Sequence, residues 1–209
     1  MNYWPEFLII MGAHALAVAS PGPDFAIVLK QSLLHGRRTA LWTSLGIGVG
    51  LAVHISYSLL GVSWLLKNSA ATLSALQYLG AAYLAFLGWQ AVSAKPRSGE
   101  VELAGFTHAP TPRSAWLTGF LVNVLNLKAA LFFIALFALR VSPLTPLLLQ
   151  FGYGVWMTLA TVAWFSLVSV VFTKPAIRHK FLRYGHWIDR SLGVVFFGFA
   201  LSLVLTAWR

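Results

Sequence analysis

Six apolar stretches, each long enough to cross a bilayer, dominate this 209-residue chain: roughly 5–29, 41–66, 70–92, 115–139, 147–173 and 187–208. A helix needs about 20 residues to traverse the hydrocarbon core. In lipid every backbone donor and acceptor must find its partner within the protein, which leaves helices and closed barrels. These stretches are too long for barrel strands and lack strict alternation. The expected fold is therefore all-α: a polytopic membrane protein of six transmembrane helices. Only 10% of the residues are charged and 58% are hydrophobic, against about 25% charged in soluble domains. One soluble core could not bury that much apolar surface. Tyr3, Trp4, Trp42, Trp64, Trp89, Trp116, Trp187 and Trp208 lie at stretch ends, where indole and phenol rings favour the headgroup level. The first stretch lacks a positive leader and is expected as a span rather than a removable signal.

The formal net charge of +10 would suggest nucleic acid in a soluble protein. Here the basic residues sort by side. The connectors after spans one, three and five hold Lys30, Arg37, Arg38, Lys95, Arg97, Arg113, Lys174, Arg178, Lys180, Arg183 and Arg190. The other connectors and the C-terminus hold Lys67, Arg140 and Arg209, and Lys128 falls inside a span. The positive-inside rule then puts the odd connectors in the cytoplasm and both termini in the periplasm. Anionic lipid, not nucleic acid, is the expected partner of these charges. The chain has no cysteine, no His/Asp/Glu cluster at metal-ligand spacing and no expected cofactor.

The chain reads as one transmembrane domain, 1–209, in two halves: repeat one about 1–93, a connector about 94–113, and repeat two about 114–209. Leu45-Gly46-Ile47-Gly48-Val49 in span two is echoed by Phe151-Gly152-Tyr153-Gly154-Val155 in span five, 106 positions later. Leu79-Gly80 in span three is echoed by Leu192-Gly193 in span six, and Pro23-Asp24 stands where the second half has Leu127-Lys128. Three spans is an odd number, so the second copy would enter the membrane from the opposite side. That is the inverted repeat common in secondary transporters. Small residues recurring in any packed bundle are the alternative explanation; such faces also permit a homodimer.

The polar residues within the spans narrow the function. Ser20-Pro21-Gly22-Pro23-Asp24 interrupts span one. Pro21 and Pro23 donate no backbone hydrogen bond and deprive the carbonyls of Ala17 and Ala19 of their helical partners. Broken backbone at membrane depth persists only where protein buries it or it lines a wet cavity; an ordinary proline kink is the plainer alternative. Asp24 needs pairing, protonation or hydration at that depth, and Lys128 in span four is its candidate partner. A static ion pair that only fixes helix packing remains open. Asn123 and Asn126 supply donors and acceptors. Asn126 and Lys128 diverge on a regular helix, so a shared cavity requires span four to be distorted there. With Pro21, Gly22 and Pro23, these residues form a candidate substrate or ion site suited to a zwitterionic amino acid. His14 and His54 could relay protons or simply pack. Tyr57 and Tyr83 could line a polar path or bond neighbouring helices. Of the five acidic residues only Asp24 is well inside a span, which argues against an enzyme.

The motif Ser20-Pro21-Gly22-Pro23-Asp24, followed by Ser32-Leu33, Gly36-Arg37-Arg38 and Leu45-Gly46-Ile47-Gly48-Val49-Gly50, resembles the amino-acid exporters of the LysE/RhtB family. Gly80-Ala81-Ala82-Tyr83-Leu84 with Leu87-Gly88 looks like that family's third-span motif, and Asn123-Val124-Leu125-Asn126-Leu127-Lys128-Ala129 like its fourth. The resemblance covers nearly the whole chain. It implies a bacterial inner-membrane carrier that exports amino acids, with protons as the coupling partner. One departure stands out: the family usually has proline where this chain has Leu127, which implies a less broken span four. A cation or metal exporter on the same scaffold and a membrane-embedded protein without transport activity are the rival readings.

Overall fold

A computed structural model describes residues 3–20, 22–68, 70–95, 110–142, 144–172 and 175–207. Every regular element among them is helical: α1 (Trp4–Ala19), α2 (Pro23–Asn68), α3 (Ala70–Val92), α4 (Pro112–Val124), α5 (Leu127–Arg140), α6 (Leu147–Val171) and α7 (Pro175–Ala207). Pro21 and most of the long connector (96–109) lie outside the described residues.

The first expected span is two helices, not one. α1 ends at Ser20, which adopts an extended conformation (φ −66°, ψ 124°), as the residue before a proline must. The Ser20 N–H donates to the Leu16 carbonyl at 3.1 Å and to the Ala17 carbonyl at 3.3 Å. The Ala17 carbonyl is thus satisfied, contrary to expectation, because the final turn tightens. Pro23 then opens α2, a position where its missing N–H removes no helical bond.

α2 has 46 residues, about 69 Å if straight, more than twice the hydrocarbon thickness. It is divided at Gly36, whose φ of 79° and ψ of 172° depart from helical geometry. A side chain would strain that backbone. The stretches on either side both contribute to one apolar cluster: Phe25, Val28 and Leu29 before the break, Ala40 and Ile47 after it, all against Phe165 and Val168 of α6 and Phe172 at its C-terminal cap. A larger cluster joins α1, α2, α3, α5, α6 and α7 through Ile10, Leu51, Leu84, Phe133, Met157 and Phe196.

The fourth expected span is also divided. α4 and α5 bend by 56° at their junction. Thr111 starts α4 by accepting the Ser114 N–H at 3.2 Å, and Asn126 starts α5 by accepting the N–H groups of Lys128 (3.1 Å) and Ala129 (3.4 Å) on Oδ1. This corrects the expectation drawn from Leu127. An asparagine N-cap ends one helix and begins the next with no proline present.

Among the described residues two helical stretches, Pro23–Gly61 and Leu147–Val171, are long and apolar enough to cross a membrane alone; the bent pair makes a third, and Trp4–Ala19 is a shorter apolar helix. Glycines set where the helices cross. A Cβ on Gly46 would overlap the Trp116 carbonyl and one on Gly119 the Thr43 carbonyl, so α2 and α4 touch through backbone. Gly88 and Gly193 face each other where α3 meets α7, a looser approach in which a Cβ on Gly193 would lie 2.7 Å from the Gly88 carbonyl. Trp4, Trp89 and Trp187 are exposed on the outer surface of the bundle.

Candidate functional site

The two helix breaks meet. Between them lies an open cleft. Ser20, Gly22 and Asp24 line it from the first break, and Asn123, Asn126 and Lys128 from the second. His14 and Thr161 add polar groups, while Phe132, Phe133, Phe165 and Phe196 form apolar walls.

Asp24 stands in the first turn of α2, where the helix dipole favours negative charge. Its Oδ2 accepts the side-chain amides of Asn123 at 3.0 Å and Asn126 at 3.1 Å. Its Oδ1 is buried and has no donor from the protein. Lys128 exerts electrostatic attraction on this carboxylate, and its Nζ donates to Ser20 Oγ at 2.8 Å. Carboxylate and ammonium therefore each hold an anchor on the opposite break. The expected divergence of Asn126 and Lys128 is overcome by the α4–α5 bend, which turns both toward Asp24 and Ser20.

Asn126 serves two roles with one side chain: Oδ1 caps α5 and Nδ2 holds Asp24. Asn123 is similarly committed. Its amide nitrogen binds Asp24 and its backbone carbonyl accepts His54 Nε2 at 2.8 Å. A carbonyl only accepts, so Nε2 carries the proton. In the neutral ring, Nδ1 then accepts the Tyr57 hydroxyl at 2.6 Å. The imidazole stacks on Phe133, with 6.4 Å between centroids and planes 8° apart.

The remaining sequence-derived candidates divide between the site and its surroundings. His14 lines the cleft, with Nε2 3.0 Å from Thr161 Oγ1 and Nδ1 buried without a protein partner. Gly22 lines it, and its carbonyl accepts the Ala26 N–H at 2.9 Å. Pro23 is exposed and acts as the helix opener. Tyr57 is 38% exposed and reaches the site only through His54. Tyr83 packs against Phe86 at 6.2 Å and does not line the cleft. Pro21 lies outside the described residues. Of the polar lining residues, Ser20 was legible only as the first member of the broken-helix motif and Thr161 was not singled out at all. Hydroxyl groups in apolar helices usually bond back to their own backbone, so Thr161 carries no distinctive signal. Among the described residues no three His, Cys, Asp or Glu side chains converge as a metal site would require.

Comparison with known proteins adds a second line of argument. The model of a family described as LysE type translocator matches residues 15–207. A threonine efflux protein of Salmonella typhi is 30% identical over 202 residues, covering 96% of this chain and 98% of that protein. A threonine efflux protein of Escherichia coli (strain K12) is 29% identical over 207 residues, covering 96% and 98%. A leucine efflux protein of Klebsiella pneumoniae is 27% identical over 207 residues, covering 95% and 94%. No solved structure matches.

Proposed function

Since this chain belongs to the LysE type translocator family, we propose that it is a secondary transporter that exports amino acids or their derivatives across the bacterial inner membrane. The carrying observation is the meeting of two broken helices around Asp24, Asn123, Asn126 and Lys128. Broken helices at mid-membrane are where carriers of this plan bind their cargo. A zwitterion matches the site's chemistry. Its ammonium can donate to Asp24 Oδ1, which the protein leaves without a donor, and its carboxylate can take the place of Ser20 on Lys128.

The architecture we assign is six spans in two inverted triplets. α1 with the first part of α2 answers to α4 with α5; the rest of α2 answers to α6, and α3 to α7. Reciprocal packing supports the pairing. Gly48 of α2 lies against Val162 of α6, and Gly154 of α6 against Ile55 of α2. These two glycines are the ones that sequence comparison of the halves aligns. The basic connectors would face the cytoplasm by the positive-inside rule.

Protons are the proposed counter-ion. A gradient can drive export only through a group that exchanges protons with the cargo site, and His54 is bonded to Asn123, which holds Asp24. No catalytic role is assigned to any residue.

Efflux of labelled threonine, leucine and a wider amino-acid panel from cells carrying the protein, with and without a protonophore, tests the reading. Protonophore-sensitive efflux that disappears in Asp24→Asn and Lys128→Met supports it. Export unchanged in both variants overturns the site, and metal tolerance without amino-acid efflux overturns the substrate class.

A further inference from the structure

Glu6, half-buried in the first turn of α1, reaches across to the connector between α5 and α6. Its Oε2 accepts the Ser142 N–H at 3.2 Å, and the Thr145 hydroxyl straddles its two carboxylate oxygens at 2.9 and 3.0 Å. The connector is itself held in shape. The Ser142 carbonyl accepts the Thr145 N–H at 3.0 Å, Ser142 Oγ accepts the Leu144 N–H at 3.2 Å, and the Thr145 carbonyl accepts Gln150 Nε2 at 2.7 Å. Two donors are thus presented together to one carboxylate. Hydrogen bonds to an ionised acceptor are about twice as strong as those between neutral groups.

Three helices fix where this clasp lies relative to the cleft. Along α1, His14 lines the cleft, Ile10 is fully buried one turn earlier, and Glu6 follows one turn beyond that. Along α5, Phe133 lines the cleft, Phe137 is buried, and Ser142 comes just past the helix end. Back along α6, Thr161 lines the cleft, Met157 is fully buried, and Thr145 precedes the first turn. Ile10, Phe137 and Met157 belong to one apolar cluster. Phe7 packs beside it against Tyr153 and Trp156, with ring centres 5.7 and 6.0 Å apart. A layer of packed apolar side chains therefore separates the cleft from the clasp.

In the other direction the cleft continues. Ser20, Leu87, Lys128 and Phe196 also line a second space, which reaches Gln90, Ala94 and Lys95 at the end of α3. The cleft is open toward Lys95 and shut toward Glu6. A carrier must expose its site to each side in turn, so α1 has to part from the α5–α6 connector for cargo to leave at the far end. Apolar packing is non-directional. The bonds to Glu6 are what fix α1 and the connector in one register.

We propose that Glu6 is the gating residue of the far face: its bonds to Ser142 and Thr145 hold the cleft shut on that side, and their release opens the exit. The proposal rests on the export reading above and adds to it the exit gate, on the face that the positive-inside rule would make periplasmic.

The test uses the full-length protein in vesicles. The chain has no cysteine, so Ala17→Cys places a single thiol on the cleft wall, and a charged, membrane-impermeant maleimide is offered from one face at a time. A separate single cysteine in the Lys95 connector reports which face is outward. With the clasp intact, the cleft thiol should react at least about tenfold faster from the Lys95 face, as expected when the other state is a minor one. Glu6→Ala should raise the rate from the Glu6 face about tenfold, the scale of one charge-assisted contact, with no rise from the Lys95 face. Thr145→Val removes one donor and keeps the shape. It should act in the same direction by a smaller factor, and it carries the test if Glu6→Ala fails to insert. Unchanged rates in both variants, or a rise from both faces alike, overturns the gate and leaves export standing. Absence of amino-acid efflux by the unaltered protein overturns the export reading, and with it the gate's place in a transport cycle.

Discussion

Asn126 donates its side-chain amide to Asp24 Oδ2 at 3.1 Å while its own Oδ1 begins α5. The residue that breaks the second helix is thus the residue that grips the acid at the first break. The two roles can be separated by substitution. Asn126→Asp keeps a capping oxygen but sets an acceptor against the Asp24 carboxylate, so transport should fall at least about tenfold, with a loss of stability that eases as pH falls and one of the two carboxyls takes up a proton. Asn126→Ala removes both roles and should also lower stability by about 1–3 kcal/mol. Efflux together with unfolding in detergent distinguishes the two, and wild-type transport by Asn126→Asp would refute the anchoring role.

Leu127→Pro should be tolerated. Leu127 is the first residue of α5 and its side chain is 64% exposed. Proline fits this position because the first N–H of a helix has no intrahelical partner. Asn126 is already extended, with φ −78° and ψ 97°, close to what a following proline demands. Stability should shift by less than about 1 kcal/mol and efflux should persist. Collapse of either would mean that the break needs leucine there.

The α2–α4 crossing should be among the least forgiving places in the bundle. Gly119→Ala drives a methyl group into the Thr43 carbonyl, which belongs to backbone and has little room to yield. A loss of about 1–3 kcal/mol, the usual scale of overpacking, is expected in unfolding or in the yield of folded protein. Gly12→Ala is the matched control, since nothing lies within 4 Å of its Cβ position. Equal behaviour of the two variants would contradict the close approach.

His54 separates proton relay from packing. His54→Gln can preserve a donor to the Asn123 carbonyl, now accepting His54 Nε2 at 2.8 Å, but the amide does not titrate. If imidazole carries the proton, the variant should fold and insert normally while efflux falls at least about tenfold, within the usual worth of a positioned acid–base group, and loses its response to the proton gradient. Tyr57→Phe, which removes the hydroxyl 2.6 Å from Nδ1, should show a milder form of the same defect. Gradient-driven efflux at the original rate in His54→Gln would reduce His54 to a packing residue.

The sequence alone was enough to establish a helical membrane chain, because apolar stretches of this length and a scarcity of charge admit few other solutions. It also singled out the breaks: prolines flanking Gly22 announce the first, and Asn123, Asn126 and Lys128 are conspicuous in an apolar span. Family membership was legible in those motifs for the same reason. What the sequence misjudged was local. Leu127 pointed toward a straighter span four, yet the side chain of Asn126 bends the chain by capping it, and a cap depends on a rotamer that composition does not reveal. Tertiary structure alone decided which groups share the cleft. Asp24 and Asn126 are 102 positions apart and meet because Gly46 and Gly119 let α2 and α4 approach to backbone contact. Thr161 acquires its place in the cleft only through that packing, since a hydroxyl shows its surroundings only once the helices have come together.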